Sequence, residues 1–298
     1  MNRTALSDRA HLLHLKSQAL ADGMRSGSFK SLYKGQGIEL NGVREYLRGD
    51  DVRSIDWNVT ARMNRPFVKV FEEERELDVF IILDKSLSMK TGSSKKTRLE
   101  TAVECASLLT FACQHNESPV GTVIFDGGII FSSAPVSSSS HTLLLLSKFE
   151  KNLTNKTDTE EISTPGSALG KALQGAAKLL KKKTLVVVIS DFRTGNWKDS
   201  FSVLCNKNDV LALRISDPLD ENLPSIGAVN FSDMESGRTM VLPTSSATFS
   251  RAWREKNRKK LSDWKSFCLS RGATPYVIST ENDVCAALIN LFNARRSL

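Results

Sequence analysis

The sequence is poor in the residues and motifs on which many enzyme sites depend. Its 298 residues include only 4 histidines, and none of them falls in a recognisable Ser/His/Asp arrangement. No Gly-x-x-x-x-Gly-Lys phosphate-binding loop is present, so any ATP hydrolysis would have to come from a partner. These absences favour a non-catalytic protein.

Cysteines and long apolar runs are also scarce. The 5 cysteines are an odd set without a Cys-x-x-Cys pair, which argues against a disulfide framework and a zinc knuckle. The longest aliphatic runs, such as residues 185–189, are far shorter than a membrane-spanning helix. Charged residues interrupt the first 20 positions, so no apolar centre of a secretory signal is visible. We therefore expect a soluble, cytoplasmic protein with no membrane span.

The excess of positive charge is concentrated near the end of the chain. The formal net charge is +8, and residues 251–271 contain eight basic and two acidic side chains. Apolar residues recur there at helical spacing: Trp253, Leu261, Trp264, Phe267 and Cys268. The pattern predicts a helix with one buried face and one exposed basic face. That basic face is either solvated or binds an acidic protein surface or nucleic acid, although no nucleic-acid module accompanies it.

Short apolar runs alternate with segments of helical periodicity along most of the chain. The predicted strands are residues 77–83, 120–125, 129–131, 185–189, 210–215 and 275–278. The predicted helices are residues 97–113, 142–150, 167–182, 197–206, 250–271 and 282–295. Residues 126–128 predict a hairpin turn, and residues 223–248 predict an excursion with a second hairpin. The alternation indicates an α/β fold with a doubly wound, mainly parallel sheet covered on both faces.

The first 74 residues predict a small appendage to this sheet. Residues 5–22 have the apolar spacing of an amphipathic helix. Residues 23–49 are dotted with glycine and suit turns and short strands. The expected organisation is an N-terminal helix-and-β appendage, residues 1–74, followed by the α/β domain, residues 75–298.

Oxygen-bearing side chains follow two of the predicted strands. Asp84, Ser86 and Ser88 alternate directly after residues 77–83, and Asp191 comes just after residues 185–189. Ligands of open α/β sheets collect at the carboxyl ends of the strands. Carboxylates and hydroxyls are hard donors that suit Mg²⁺, whereas the competing interpretation is a set of capped turns.

A further hydroxyl precedes the helix that leads into residues 185–189. Ser167 supplies this oxygen, and Thr164 is the alternative if the loop is shifted. The candidate metal ligands are therefore Asp84, Ser86, Ser88, Ser167 and Asp191.

This set resembles the metal-ion-dependent adhesion site of von Willebrand factor A domains. The resemblance implies a von Willebrand factor A-like fold and a divalent cation with one open position for a carboxylate of a partner protein. The family usually has threonine followed by aspartate where this chain has Ser167 and Ala168. Serine keeps the oxygen, so the departure affects mainly the strength of metal binding.

The segment before the site carries a second resemblance. Residues 43–62 read VREYLRGDDVRSIDWNVTAR and, with residues 37–39 and 72–76, are similar to the signature of domain-of-unknown-function family fifty-eight. The similarity extends over nearly the whole chain. Members have von Willebrand factor A-like domains and are often encoded beside MoxR-type AAA+ ATPases. The resemblance thus implies a MoxR-type ATPase as partner, in a chaperone-like system that remodels another complex.

The same segment has a dense mixture of opposite charges. Arginines at positions 44, 53 and 62 lie among acidic residues at 45, 50, 51 and 56, and such groups form bidentate pairs. Trp57 is predicted to be an apolar anchor. The segment either fastens the appendage to the main sheet or forms a docking face.

The enzymatic alternative is a metal-dependent phosphohydrolase. Asp84 resembles the nucleophile of haloacid-dehalogenase-type phosphatases, which follows a hydrophobic strand. Those enzymes have a second acid two positions later, where this chain has Ser86. The general acid is missing, so the sequence favours protein binding over catalysis.

Overall fold

The computed structural model describes residues 39–72, 78–151, 168–232 and 239–296, with Ser17, Gln18, Leu20, Ala21 and Met24. Contacts divide the chain into a small unit, residues 28–76, and a larger unit, residues 1–27 with 77–298. The predicted helix over residues 5–22 lies mostly outside the described residues, although the described positions within it are helical. The expected boundary near residue 75 stays a prediction.

The small unit is built on an antiparallel pair of strands, β1 (Glu39–Glu45) and β2 (Phe67–Glu72). A 3₁₀ turn (Val52–Ser54) and helix α1 (Trp57–Met63) connect them. Asp51 and Asp56 accept hydrogen bonds from the first backbone N–H groups of these two helices, which satisfies donors that have no partner inside the helix. Asp51 and Asp56 therefore mark the beginnings of the two helices.

One of the predicted bidentate pairs is present in this unit. The Arg44 guanidinium donates to both carboxylate oxygens of Asp50, at 2.7 and 2.8 Å, and this contact lowers the pKa of Asp50 to about 2. Arg53 and Arg62 form no ion pair with any described residue. Trp57 is the first residue of helix α1, and its side chain is 68% exposed. Its role as an apolar anchor stays a prediction.

The larger unit contains a six-stranded sheet, as the alternation of strands and helices predicts. Its strands are β3 (Val79–Asp84), β4 (Val120–Asp126), β5 (Gly128–Val136), β6 (Leu185–Ser190), β7 (Asp209–Ser216) and β10 (Thr274–Ser279). The order is β10-β7-β6-β3-β4-β5. All neighbours are parallel except the hairpin of β4 and β5. The second predicted hairpin is β8 (Ala228–Ser232) with β9 (Thr239–Pro243), outside this sheet.

Helices cover both faces of the sheet. They are α2 (Arg98–His115), α3 (Ser139–Glu150), α4 (Ala168–Leu179), α5 (Lys198–Lys207), α6 (Pro218–Glu221), α7 (Ala247–Ser270) and α8 (Val284–Arg296). Phe80, Ile82 and Val188 share one core cluster with α4, α5 and α7. Alternate residues of the same strands are equally buried and point to the opposite face, where α2 packs.

The longest described helix, α7, has the two predicted faces. Trp264 and Cys268 are buried, and the other three predicted apolar positions are partly buried. The basic side chains of its other face are exposed: Arg254, Lys256, Arg258, Lys259 and Lys265. In the described parts of the chain, no helix combines the length and the apolarity needed to cross a bilayer.

The order of the strands creates a crevice at the end of β3. The chain passes from β3 to β4 on one side and later returns to β6 on the other side. At such a reversal the connections leave the carboxyl end of the central strand uncovered, and α/β proteins place their ligands there. The carboxyl end of β3 is therefore the position in the fold at which a site is expected.

Gly121 allows β4 and β5 to approach each other closely. A Cβ atom at this position would lie 2.7–2.8 Å from backbone atoms of residues 133–135 on β5, where the strand register is irregular. We expect Gly121→Ala to lower the free energy of unfolding by about 1–3 kcal/mol, because backbone must move to accommodate the methyl group. Gly128→Ala is the control, since its Cβ would meet no atom within 4 Å. Equal losses for both variants in denaturant unfolding would contradict this explanation.

Candidate metal site

Four of the predicted ligands lie at one edge of the sheet. Asp84 is the last residue of β3, and Ser86 and Ser88 follow in the loop and the 3₁₀ turn Leu87–Lys90. Asp191 comes directly after β6, which pairs with β3 in parallel with Leu83 opposite Ile189. Because neighbouring parallel strands end at the same edge, two aspartates far apart in sequence come together.

Hydrogen bonds hold the Asp84 carboxylate in a fixed orientation. Its Oδ1 accepts a hydrogen bond from the Ser86 backbone N–H at 2.9 Å, and its Oδ2 accepts one from Ser190 Oγ at 2.6 Å. The hydroxyl oxygens of Ser86 and Ser88 are 3.2 Å apart. The loop thus gathers one carboxylate and two hydroxyl groups within a few ångströms.

The two aspartates are buried and lack full charge compensation. Asp84 and Asp191 have relative exposures of 0% and 1%. Burial, followed by the negative charge of Asp191, raises the pKa of Asp84 to about 7. Among the described residues, Asp191 Oδ2 has no hydrogen-bond partner, and its nearest cation is Arg193, with Nε at 3.7 Å. An unpartnered carboxylate oxygen beside a second buried carboxylate is an environment that favours a bound cation.

The donor set fits a small hard cation. Two carboxylates and two hydroxyls supply only oxygen, the ligand type that Mg²⁺ prefers, and water can complete its coordination. In the described part of the chain, no cluster of three or more His, Cys, Asp or Glu side chains is arranged to hold a metal, so a site here depends on hydroxyls as well as carboxylates. Ser167 and its alternative Thr164 lie outside the described residues. The assignment of all five ligands stays a prediction.

Sequence reasoning missed the role of Lys85, which lies between two candidate ligands. Its ammonium donates to three carbonyl oxygens at the end of α3, those of Lys148, Phe149 and Lys151, at 2.7–2.9 Å. Burial lowers the pKa of Lys85 to about 8. The alternation of Asp84, Lys85 and Ser86 was a usable signal, since successive side chains of an extended segment point to opposite sides.

Two arginines beside the site were also missed. Asp220, in α6, pairs with the buried Arg98 at 2.7 Å and with Arg193. Burial disfavours the charged form of Arg193, but the carboxylates of Asp220 and Asp191 outweigh this effect and raise its pKa. The sequence offers no signal for this network because its three elements are joined only by the fold.

Two mycobacterial proteins have sequences similar to that of this chain. An uncharacterized protein of Mycobacterium bovis is 29% identical over 226 residues, which are 76% of this chain and 69% of that protein. An uncharacterized protein of Mycobacterium tuberculosis has the same identity and coverage.

Two of the solved structures that are similar to part of this chain come from Bacteroides. The conserved hypothetical protein BatB from Bacteroides thetaiotaomicron has a TM-score of 0.45 and 18% identity, over 74% of this chain and 100% of that chain. An aerotolerance-related membrane protein from Bacteroides fragilis has a TM-score of 0.44 and 20% identity, over 74% of this chain and 98% of that chain.

The family comparison agrees with the resemblance found in residues 43–62. The sequence matches the family described as protein of unknown function DUF58 over residues 42–262. This match covers both the charged segment of the small unit and the aspartates of the candidate site. Because it spans well over half of the chain, the protein belongs to the DUF58 family.

Proposed function

We propose that this protein is a non-catalytic interaction module that binds a divalent cation of the Mg²⁺ type and, through it, an acidic side chain of a partner protein. The observation that carries the proposal is the buried Oδ2 of Asp191, which has no hydrogen-bond partner among the described residues and lies beside the buried Asp84. A cation would neutralise the two carboxylates and accept an oxygen ligand from outside the chain.

Each residue has a distinct part in this proposal. Asp84 is oriented by Ser86 N–H and Ser190 Oγ, and it supplies the main negative charge. Ser86 and Ser88 supply neutral oxygens, with Ser167 as a further hydroxyl, and Asp191 acts through a water molecule. Asp84 and Asp191 together would balance the charge of a divalent ion. A partner's carboxylate would therefore bind by coordination at an open position of the cation, where it would replace water.

A von Willebrand factor A-like fold is the finer classification that we propose. It is supported by the central position of β3, the parallel strands on both sides of it and the single antiparallel strand, β5, at the edge. In such a fold the Asp84 loop and the end of β6 would form two of the three parts of an adhesion site. The remaining part would be the segment that contains Ser167.

The partner that we propose is a MoxR-type AAA+ ATPase in the cytoplasm. The support is the similarity of residues 43–62 to a family whose members are often encoded beside such ATPases. The chain has no Gly-x-x-x-x-Gly-Lys motif of its own, so the ATPase would supply the energy of nucleotide hydrolysis. This chain would then select or position the protein complex to be remodelled.

The test is a binding measurement with the purified chain and a MoxR-type ATPase from the same organism. We expect the Kd to rise at least about tenfold when Mg²⁺ is replaced by a chelator, and equally in Asp191→Asn with Mg²⁺ present. The substitution removes the charge but keeps a side-chain oxygen. This oxygen can still accept the hydrogen bond from the Arg193 backbone N–H, which donates to Oδ1 of Asp191 at 3.1 Å in the unmodified protein. Loss of binding would therefore report the charge of Asp191.

Asp126→Asn is the matched control for this experiment. Asp126 ends β4 at the same edge of the sheet, but it is partly exposed and pairs with Lys90 at 3.1 Å. We expect its Kd to equal that of the unmodified protein. Unchanged binding of Asp191→Asn, or unchanged binding in chelator, would refute the metal bridge.

A further inference from the structure

A groove of about 1,320 Å³ lies beside the candidate metal site, within the larger unit. Ser88 lies at its margin, and α7 contributes Arg254, Arg258 and Lys260 to its wall. Seven basic and four acidic side chains line it. One of these acids, Asp220, is already paired with two arginines. The groove therefore has an excess of positive charge.

Arg214 is the clearest sign that this groove takes an anion. It lies on β7 and is half-buried, and its guanidinium stacks 5.7 Å from the ring centre of Trp264. Among the described residues, it forms no ion pair. Burial and then the positive charge of Arg193 lower the pKa of Arg214, and the carboxylates of Asp191 and Asp220, which are too far away to form ion pairs with it, offset this only in part. A half-buried arginine without a carboxylate partner is stabilised by an external anion, which its planar donors bind in bidentate fashion.

Three other residues that line the same groove have polar atoms without a hydrogen-bond partner among the described residues. Trp264 is 5% exposed, yet its Nε1–H has no acceptor among the described residues. The amide nitrogen of Asn257 and the hydroxyl of Thr194 are also buried without a partner there. Both residues line the groove. A buried donor without an acceptor lowers the stability of the fold. A ligand rich in oxygen atoms could accept the hydrogen bonds that these donors lack.

The size of the groove favours an extended ligand over a small one. Pockets for small molecules have volumes of about 300–1,000 Å³, whereas this groove is larger, and α7 lines it from Trp253 to Trp264. It also reaches Ser88, a candidate metal ligand. A peptide that placed one carboxylate at the metal would therefore continue directly into the basic groove.

We propose that the groove binds an acidic peptide segment of the partner, with carboxylates paired to Arg214 and to the basic side chains Arg258 and Lys260. This inference rests on the function proposed above, because the same segment would supply the carboxylate for the metal. It adds the chemical character of the partner: several acidic residues in succession. The basic face of α7 then has a role that is limited to the side chains facing the groove.

The test uses the full chain and a fluorescein-labelled peptide of eight glutamates, with an eight-glutamine peptide as the neutral control. Fluorescence anisotropy gives the Kd for two double variants of α7 that lose the same charge. Arg258→Gln with Lys260→Gln removes two groove residues, whereas Arg251→Gln with Lys259→Gln removes two exposed residues outside the groove. We expect a loss of affinity of about tenfold or more in the first and of less than about twofold in the second.

Arg214→Gln tests the half-buried cation of the groove. We expect the Kd for the acidic peptide to rise at least about tenfold in this variant, since the substitution removes that cation. Equal Kd values for the two double variants, or tighter binding of a single-stranded DNA octamer than of the acidic peptide, would overturn the proposal. Chelator and Asp191→Asn separate the two hypotheses: if they leave the Kd unchanged while the double variants still differ, the metal bridge fails and the groove stands.

Discussion

Asp84→Asn is expected to stabilise the metal-free protein and to abolish its response to Mg²⁺. In the absence of metal, the substitution removes one of two buried negative charges, so the free energy of unfolding should rise by about 1–3 kcal/mol. The amide oxygen still accepts the Ser86 N–H, and the amide N–H₂ can donate to Ser190 Oγ in place of the present bond. The side chain at position 84 therefore still makes two hydrogen bonds in the variant.

The same variant tests the metal through mass action. A ligand that binds only the folded state stabilises it by about 2.7 kcal/mol at a hundred times its Kd. The unmodified protein should therefore show a rising Tm with Mg²⁺ concentration, and Asp84→Asn should show none. Asp126→Asn, which changes a partly exposed acid at the same edge, should keep the full response to Mg²⁺. A normal Mg²⁺ response in Asp84→Asn would exclude Asp84 as a ligand.

Lys85→Met is expected to lower the free energy of unfolding by about 3 kcal/mol. Lys85 is 4% exposed, and its ammonium binds the last carbonyls of α3. The last carbonyls of a helix have no partner within the helix, and a cation at this end also interacts favourably with the negative end of the helix dipole. Methionine keeps the length of the side chain but leaves buried acceptors unsatisfied, a loss that exceeds the desolvation cost of the ammonium.

Lys151→Met provides the matched comparison for Lys85. Its side chain is exposed, and the substitution leaves in place the backbone carbonyl that Lys85 contacts. We expect a change below about 0.5 kcal/mol, as for other surface substitutions. Denaturant unfolding of the two variants measures the difference. A loss of less than about 1 kcal/mol in Lys85→Met would show that water replaces the ammonium at these carbonyls.

The secondary structure of the larger unit followed from local chemistry. The runs 79–84 and 185–190 are buried along their whole length, and continuous apolar runs of that length are typical of central parallel strands. The face of α7 was also predictable, because Trp264 and Cys268 recur at helical spacing and both are buried. The exposure of the Trp57 side chain was not predictable in this way, since an isolated aromatic residue carries no periodicity.

The candidate site was predictable in its residue types but not in its surroundings. Asp84 and Asp191 each follow a buried run, and the carboxyl ends of parallel strands meet at one edge. Three features depend on how distant segments pack: Ser190 donates to Asp84, Lys85 binds the end of α3, and Arg214 has no ion-pair partner among the described residues. The segments involved lie far apart in the sequence, and no local pattern encodes which of them meet.

The sequence by itself determined the alternation of strands and helices, the oxygen-bearing side chains after two strands and the basic face of α7, because each depends on residues close together in the chain. Only the tertiary structure decided that one oxygen of Asp191 has no hydrogen-bond partner among the described residues, and that Arg214, Trp264 and part of α7 line one groove. Burial and charge compensation are properties of packed neighbours, and the order of the strands decides which neighbours those are.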